Sequence, residues 1–308
     1  MNMKKLKNQN VKGTQDYLPE AEEIRRKVKQ TLENVFDRYG CSPIETPILN
    51  YKELLASKYG GGAEILKEMY TLSDQGNREL ALRYDLTIPF AKVIAMHPTL
   101  KMPFKRYEIG KVFRDGPIKT GRFREFTQCD VDIVGVDSQM AEAELMVMAI
   151  DAFKELNLDI VIQYNNRKLL SGLLSKYNTP IDKVSDVILT LDKLEKIGLE
   201  AVVAELKEKR VPNETISQLK VFIEDRTEKN LDFFDELSDG NIQLQQGVKE
   251  LKELTSYLTS LDLESSCRFN PFLARGLEIY TGTIYEIFLK EGALKSSIGS
   301  GGRYDQAI

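Results

Sequence analysis

The chain has 308 residues, of which 42% are hydrophobic and 29% charged, and its formal net charge is −4. This composition is typical of a folded globular protein and excludes an intrinsically disordered chain. No apolar run approaches the roughly 18 residues that a membrane-spanning helix needs, so no membrane partner is predicted. Because the net charge is negative, a nucleic-acid partner would have to meet a local basic surface.

The cysteines and the N-terminus indicate the compartment. Cys41, Cys129 and Cys267 lie far apart and form no CxxC pair. This argues against a disulfide framework or a zinc site, so no metal ligands are predicted among the side chains. The basic N-terminus has no apolar segment behind it, as a secretion signal would require. The sequence therefore predicts a protein of the reducing cytoplasm.

One helix and a set of short strands are predicted for the first part of the chain. Pro19 and the acidic residues after it suit the first turn of a helix, and Gly40 suits its end. Residues 41–49 contain two prolines and are predicted to form an extended or edge strand. A β-hairpin follows, with a turn at residues 74–77 and a second strand from Glu79 to Ile88.

Two longer strands are predicted next, from about Arg106 to Arg114 and from Arg124 to Gly135. A loop containing glycine and proline separates them, and strands joined by such loops form antiparallel sheets. A helix and a strand at residues 159–164 follow. Strand character then returns at residues 267–289 and 296–299.

A long helical stretch divides the predicted domains. Residues 1–165 are predicted to form a core, residues 166–265 a helical insertion rich in Lys and Glu, and residues 266–308 a return to the core sheet. The strands on either side of the insertion are expected to share a sheet. The predicted fold class is α+β, an antiparallel β-sheet flanked by helices with a helical insertion domain.

A polar face is predicted on the strand 124–135. Side chains alternate between the two faces of a strand, so Gln128, Asp130 and Asp132 share one face. The odd-numbered residues from Thr127 to Ile133 form an apolar face suited to burial. Two carboxylates and an amide on one face can bind a cation, although most such faces are simply solvated.

The segment 82–88 repeats this alternation. As a strand, it places Arg83, Asp85 and Thr87 on one face and apolar side chains on the other. Two strands are therefore predicted to present acidic groups, each from one of its faces.

The unit formed by residues 105–126 is basic. Arginine has a planar fork of donors that suits phosphate oxygens, so a nucleotide or an RNA end is a reasonable ligand. On its own this pattern is weak, because a basic hairpin is more often ordinary surface. The glycines at 299, 301 and 302 would allow a ligand to approach the backbone closely, but they form no P-loop. The basic residues are Arg106, Lys111, Arg114, Lys119, Arg122 and Arg124.

These pieces occur together and in this order in one family. Along essentially its whole length, and most weakly in the helical insertion, the chain resembles the catalytic core of class II histidyl-tRNA synthetases. The segments that carry the resemblance are VKGTQDYLP (11–19), LRYDLTIPFA (82–91), YEIGKVFRDGP (107–117), GRFREFTQCDVDIVG (121–135), LARGLEIYTGTIYE (273–286) and GSGGRYD (299–305).

The resemblance implies a role for the strand and loop from Tyr107 to Phe126, which are similar to class II motif 2. Arg114 would grip the α-phosphate of ATP and the carboxylate of histidine. Arg122 would help to hold the outer phosphates. The loop at residues 117–120 would meet the acceptor end of tRNA(His).

The resemblance also implies a histidine pocket. Asp85, Thr87 and Gln128 are similar to the residues that hold the substrate ammonium group. Asp132 and Tyr280 are similar to the residues that bind the imidazole. A site built from hydrogen-bonding partners for both ring nitrogens rejects analogues that lack them.

Further roles follow from the same likeness. Arg275 is similar to an arginine that acts at the α-phosphate and also contacts the histidine, and Tyr304 with the glycines of 299–302 is similar to a second segment of the histidine pocket. Histidine attacks ATP through its own carboxylate, so orientation and charge neutralisation can carry the catalysis. Mg²⁺ would accompany ATP. The family also implies a homodimer, with the first helix and the strand around Pro47 at its interface.

Two departures from the family pattern stand out. The usual RGLDYYTG reads RGLEIYTG here, with Ile279 before the pocket tyrosine Tyr280. Arg275 and Tyr280 would point to opposite sides of a plain strand, so a bend near Gly276 is expected. The sequence also ends before class II motif 3 and without the anticodon-binding domain. It is therefore expected to be a truncated core that binds histidine and ATP weakly and turns over slowly.

Two other functions remain open. One is a histidine-sensing regulatory subunit of ATP phosphoribosyltransferase, and the other is a synthetase-like module of a protein kinase that binds uncharged tRNA. The first commonly loses motif residues that are present here, and the N-terminal segment 11–19 argues against an internal module. The retained residues are Arg114, Gln128, Asp132, Arg275 and Tyr280.

Overall fold

The computed structural model describes residues 8–57, 63–275, 279–292, 294 and 296–307. The chain forms two compact units. The first runs to Gly135 and includes Ala307, and the second runs from Val136 to Gln306. In the described part of the chain, no helix has the length and apolar character needed to cross a membrane.

The first unit begins with helix α1, Pro19–Arg38. Proline suits the first turn because its missing N–H has no helical partner to lose there, and acidic side chains in that turn favour the positive end of the helix dipole. Gly40, with a φ of 73°, follows the C-cap, as the sequence predicts. The predicted strand at 41–49 is instead two short strands, β1 (Ser42–Pro43) and β2 (Leu49–Tyr51). Pro47 lies between them and belongs to neither.

The predicted hairpin is confirmed, but its second strand is short. After helices α2 (Lys52–Ser57) and α3 (Ala63–Glu68), strands β3 (Thr71–Ser73) and β4 (Glu79–Leu82) pair antiparallel, and β2 pairs with the other edge of β4. The prediction that β4 continues to Ile88 is wrong, because helix α4 (Thr87–Met96) begins there.

The two long strands are β5 (Phe104–Phe113) and β6 (Glu125–Val134), which pair antiparallel as predicted. Strand β1 pairs parallel with the other edge of β5. The predicted burial of the odd-numbered face of β6 is wrong, since Thr127 and Cys129 are exposed. The even-numbered face is the more enclosed one, and Asp132 on it is buried.

The second unit contains seven helices and four strands in its described residues. A helix and a strand come first, six helices follow, and three strands close the unit. In chain order they are α5 (Met140–Glu155), β7 (Ile160–Asn166), α6 (Arg167–Lys176), α7 (Ile181–Leu191), α8 (Leu194–Glu208), α9 (Asn213–Glu224), α10 (Leu231–Leu237), α11 (Ile242–Ser260), β8 (Cys267–Phe269), β9 (Thr283–Leu289) and β10 (Gly299–Gly302).

The strands of this unit form one sheet in the order β10-β9-β7-β8. Strand β7 precedes the six helices and pairs with β8 and β9, which follow them. The expectation that the strands around the helical stretch share a sheet is therefore confirmed. The extent of the insertion as a separate domain stays a prediction.

The predicted strand at 267–289 is interrupted. Strand β8 ends at Phe269 and β9 begins at Thr283. The backbone between them is held by side chains: Asn165 Nδ2 donates to the carbonyls of Pro271 (3.1 Å) and Leu273 (2.9 Å). A proline and carbonyls bonded to a side chain cannot continue a ladder, so the strand stops here.

Candidate active site

The predicted site residues fall into two groups, one in each compact unit. The first unit holds Asp85, Thr87, Arg114, Arg122, Gln128 and Asp132, and the second holds Arg275, Tyr280 and Tyr304.

Strands β5 and β6 bring several polar side chains onto one face. Their register places Arg106 opposite Asp132, Glu108 opposite Asp130, and Gly110 opposite Gln128. Residues directly opposite each other in an antiparallel pair project from the same face. The predicted polar face of β6 is therefore extended by charged residues of β5.

Arg106 is fully buried and pairs with Asp132, with Nη2 2.5 Å from Oδ2. Its Nη2 also donates to the carbonyl of Leu86 (3.3 Å), and its guanidinium lies 4.3 Å from the centre of the Phe90 ring. From the sequence, Arg106 was predicted to belong to a basic surface that could bind phosphate groups. That interpretation is wrong, because this arginine is the buried counter-ion of Asp132.

A second buried ion pair lies beside the first. Arg83 Nη1 donates to Glu108 Oε1 (2.7 Å) and to the carbonyl of Thr46 (2.6 Å), and all three residues are buried. Thr46 donates to the same carboxylate through its backbone N–H (2.9 Å). A Cβ on Gly110 would come within 2.2 Å of Arg83 Nη2, so glycine is needed for the arginine to lie across the strand.

Arg114 follows β5 and is held by neutral groups. Its Nε donates to the carbonyl of Tyr84 (3.1 Å), and its Nη2 donates to Gln128 Oε1 (3.3 Å). The guanidinium stacks over the Tyr84 ring at 4.3 Å and lies 5.1 Å from that of Phe126. Among the residues that the structure describes, no carboxylate pairs with Arg114, so its positive charge is available to an anionic ligand.

Tyr84 is a supporting residue that the sequence did not single out. Burial raises the pKa of Tyr84 to about 12, so its hydroxyl stays protonated. That hydroxyl donates to Glu68 Oε2 at 3.0 Å. Alternation placed Tyr84 on an apolar strand face, and only the fold shows that its ring lies against Arg114.

Gln128 joins Arg114 to an acidic pair. Its Nε2 donates to both carboxylate oxygens of Asp130, each at 3.0 Å. Burial raises the pKa of Asp130 to about 7; Asp132 also raises it, whereas Arg106 lowers it. Two carboxylates on one enclosed face attract a cationic group because such a group relieves their mutual repulsion.

Asp85 and Thr87 lie at the start of a helix and not on a strand. Asp85 Oδ1 accepts a hydrogen bond from the backbone N–H of Ile88 (3.2 Å), and Thr87 is the first residue of α4. A carboxylate before a helix satisfies an N–H that has no partner within it. The structure therefore keeps both residues near the strands but corrects their predicted geometry.

The loop between β5 and β6 has an exposed tip. Arg122 is exposed and forms an isolated β-bridge with Lys119 across Gly121, which has a φ of 75°. Arg124 is instead tied to Asp115, with Nη2 3.0 Å from Oδ1. Of these two arginines, Arg122 is the one that is exposed at the tip.

In the second unit, Arg275 is paired with carboxylate and hydroxyl groups of the sheet. Its Nη1 donates to Glu286 Oε1 in a short ion pair, and its Nη2 donates to Ser300 Oγ at 3.2 Å. Glu286 is a further residue that the sequence did not single out. Gly276, where a bend was expected, lies outside the described residues. Neither Arg275 nor Tyr280 is in a strand, so the argument from alternation does not apply to them.

Tyr280 precedes β9 and Tyr304 follows β10 in the sequence, and both residues are half-buried. A Cβ on Gly302 would come within 2.7 Å of the Tyr280 ring, and one on Gly301 within 2.4 Å of the Tyr285 hydroxyl. These two glycines allow close approach by aromatic side chains of their own chain. Their predicted use, close approach by a ligand, stays a prediction.

Arg303 lies in the motif segment 299–305, but no role was predicted for it. Its Nε and Nη2 donate to the two carboxylate oxygens of Glu142 at 2.6 and 2.8 Å. It also donates to the carbonyls of Val136 and Ser138, each at 3.1 Å. Arg303 thereby fixes the segment after β10 to the start of α5.

A family model for histidyl-tRNA synthetase matches residues 13–308. The chain belongs to this family. Histidine–tRNA ligase 2 of Shouchella clausii is 61% identical over 307 residues, which are 99% of this chain and 72% of that relative. The chain is thus an enzyme of the ligase class, and the resemblance found in its motifs is confirmed.

Solved structures agree on the α+β fold of the synthetase family. The crystal structure of histidyl-tRNA synthetase from Nostoc sp. PCC 7120 matches with a TM-score of 0.83 and 32% identity, covering 98% of this chain and 70% of that one. An ATP phosphoribosyltransferase regulatory subunit/histidyl-tRNA synthetase from Bacillus halodurans also has a TM-score of 0.83, over 99% of this chain and 78% of that one. At 21% identity, that second match shows a shared fold only.

Proposed function

We propose that the chain activates histidine with ATP and transfers the histidyl group to tRNA(His). In the first step a carboxylate oxygen of histidine attacks the α-phosphorus, and pyrophosphate leaves. In the second step a terminal ribose hydroxyl of the tRNA attacks the carbonyl carbon of the adenylate, and AMP leaves. Neither step needs a nucleophile from the protein.

The observation that carries this proposal is the setting of Arg114. Its guanidinium is fixed by the Tyr84 carbonyl, the Gln128 amide and an aromatic face, while its charge remains uncompensated by a carboxylate among the described residues. A preoriented cation of this kind stabilises charge that develops on a phosphate without reorganising during the reaction. Arg114 is therefore assigned to the α-phosphate of ATP and the carboxylate of histidine.

The acidic face beside Arg114 is assigned to the amino acid. Asp85, Thr87 and Gln128 would hold the ammonium group, and Asp132 would bind the imidazole. The ion pair with Arg106 supports this role, because it fixes the Asp132 carboxylate while leaving it able to accept a further hydrogen bond.

The second unit is assigned roles by its likeness to the family. Arg275 would act at the α-phosphate and contact the histidine, Tyr280 would bind the imidazole, and Tyr304 would line the histidine pocket.

The loop of the first unit between β5 and β6 is assigned to ATP and tRNA. Arg122, exposed on this loop, would hold the outer phosphates of ATP, and residues 117–120 would meet the acceptor end of the tRNA. Mg²⁺ would enter with ATP as a ligand of its phosphates.

Two properties of the whole protein belong to the same proposal. The family implies a cytoplasmic enzyme, and it implies a homodimer that uses α1 and the segment around Pro47. Exposed apolar side chains on and near these segments support the dimer, among them Ile24 and Tyr51. Light scattering coupled to size-exclusion chromatography tests it, and a mass of a single chain at micromolar concentration would contradict it.

The second candidate is the histidine-sensing regulatory subunit. The match to the Bacillus halodurans structure favours keeping it, because the fold alone does not separate the two functions. Attachment of labelled histidine to tRNA(His) in the presence of ATP separates them. The ligase proposal predicts attachment that is specific for histidine. Histidine binding without any attachment would support the regulatory candidate.

A further inference from the structure

We propose that Glu286 is a positioning residue that fixes the guanidinium of Arg275. The inference rests on the proposed function of Arg275 at the α-phosphate of ATP. It adds a residue of β9 that the family resemblance did not assign, and it explains how an arginine outside any strand is held in one orientation.

Two strands of the sheet supply the partners of Arg275. Glu286 in β9 lies directly opposite Ser300 in β10, so their side chains share one face. Arg275 Nη1 donates to Glu286 Oε1, and Nη2 donates to Ser300 Oγ (3.2 Å). The two terminal nitrogens of one guanidinium are therefore bound to adjacent strands.

The carboxylate is itself held in place. Ser297 Oγ donates to Glu286 Oε1 at 3.1 Å. The side chains of Arg275 and Glu286 are 22% and 14% exposed, so solvent screens their pairing only partly. An arginine side chain has many rotamers, and a fixed carboxylate restricts that freedom before a substrate binds.

The setting of Arg275 differs from that of Arg114. Arg114 is held by neutral groups, whereas Arg275 is bound to a carboxylate that lowers the local positive charge. A carboxylate at this point would weaken the attraction of a phosphate if its only effect were electrostatic. Its presence is explained if orientation matters more than charge at this arginine.

A second carboxylate provides a control for this distinction. Asp192 follows α7; burial raises the pKa of Asp192, and Arg275 lowers it, so the two charges influence each other. Asp192→Asn removes a negative charge near Arg275 without removing the ion pair. Glu286→Gln removes a negative charge of equal size together with the ion pair.

The first test is the rate of adenylate formation, followed as histidine-dependent exchange of pyrophosphate into ATP. Glu286→Gln is expected to lower kcat by about tenfold or more while leaving KM for histidine and for ATP within about twofold. Asp192→Asn is expected to leave kcat within about twofold of the wild type. An equal loss in both variants would overturn the proposal, because a general charge effect would then suffice.

A double-mutant cycle tests whether Glu286 acts through Arg275. In an Arg275→Ala background, Glu286→Gln should change single-turnover adenylate formation by less than about twofold, because the group that it positions is gone. Additive losses would overturn the proposal.

A second readout needs no activity. Rotation of an arginine guanidinium is slow when both Nη groups are bound, so the Arg275 Hη–Nη resonances, assigned by their loss in Arg275→Lys, should be resolved in the wild type. They should broaden or merge in Glu286→Gln and persist in Asp192→Asn. Unchanged resonances in Glu286→Gln would overturn the proposal. A wild type that forms no adenylate would contradict only the proposed function, because the resonances can be compared without any activity.

Discussion

Buried arginines organise the polar face of the first unit at the scale of single residues. Arg83 pairs with Glu108, and Arg106 pairs with Asp132; three of these four residues are at most 3% exposed. Removing one partner of a buried pair leaves an uncompensated charge, which costs several kcal/mol. The geometry of this face is therefore tightly constrained.

The first prediction concerns Arg83. Arg83→Met should lower the free energy of unfolding by about 3–5 kcal/mol, because the Glu108 carboxylate would lose its main counter-charge in a buried position. Lys52→Met is the matched control: Lys52 pairs with Glu79 at 3.2 Å in a far more exposed setting. It should cost less than about 1 kcal/mol. Urea unfolding measures both, and similar losses would contradict the argument.

The second prediction concerns pH. Burial raises the pKa of Asp130 to about 7, above its ordinary value of 3.8. The folded state therefore binds a proton more tightly than the unfolded state. The contribution of Asp130 to stability falls as the pH rises through this window, and the penalty is complete above it.

Asp130→Asn should remove this dependence. Relative to the wild type, its free energy of unfolding should rise by on the order of 1–3 kcal/mol between about pH 4.5 and about pH 8. Asp239→Asn is the control at an exposed position. A difference between Asp130→Asn and the wild type that does not change with pH would refute the assigned pKa direction.

Helices α6 and α11 pack closely in the second unit at the scale of elements. A Cβ on Gly172 would lie 2.5 Å from the backbone nitrogen of Leu244, and one on Gly247 would lie 2.4 Å from that of Leu169. The obstacle at each glycine is backbone, which cannot turn aside as a side chain can. The apolar residues of α11 that recur every three or four positions from Leu244 to Leu258 are buried.

The third prediction tests this packing. Gly172→Ala should lower the free energy of unfolding by about 1–3 kcal/mol, since the new methyl group must push the helices apart. The steric cost of the methyl group should exceed the roughly 1 kcal/mol that alanine gains over glycine in a helix, so the net change is destabilising. Ser175→Ala, at an exposed position of the same helix, should change stability by less than about 0.5 kcal/mol. A stabilised Gly172→Ala would show that the contact is not close.

Elements with a clear period could be predicted from the sequence, and short segments at element boundaries could not. Strands β5 and β6 could be predicted because each extends over ten residues and a loop containing glycine and proline separates them. Residues 82–88 alternate too, but Asp85 accepts from the Ile88 N–H and Thr87 begins a helix. Pro89 in the first helical turn is the local feature that could have indicated this start.

The candidate site shows the same limit. The residue types were predicted from motif resemblance, whereas their partners were not, because most of these partners are remote in sequence. Arg106 meets Asp132 only because of the register between β5 and β6. Glu286, in β9, pairs with Arg275, which lies in the irregular segment before that strand. No local pattern carries such information.

The function joins these observations at the scale of the whole molecule. Histidine-dependent exchange of pyrophosphate into ATP tests the central claim most directly, because it requires adenylate formation and needs no tRNA. We expect measurable exchange with histidine, none with other amino acids, and its loss in Arg114→Ala and in Arg275→Ala. Calorimetrically measured histidine binding without any exchange would contradict the ligase proposal and favour a histidine-sensing role.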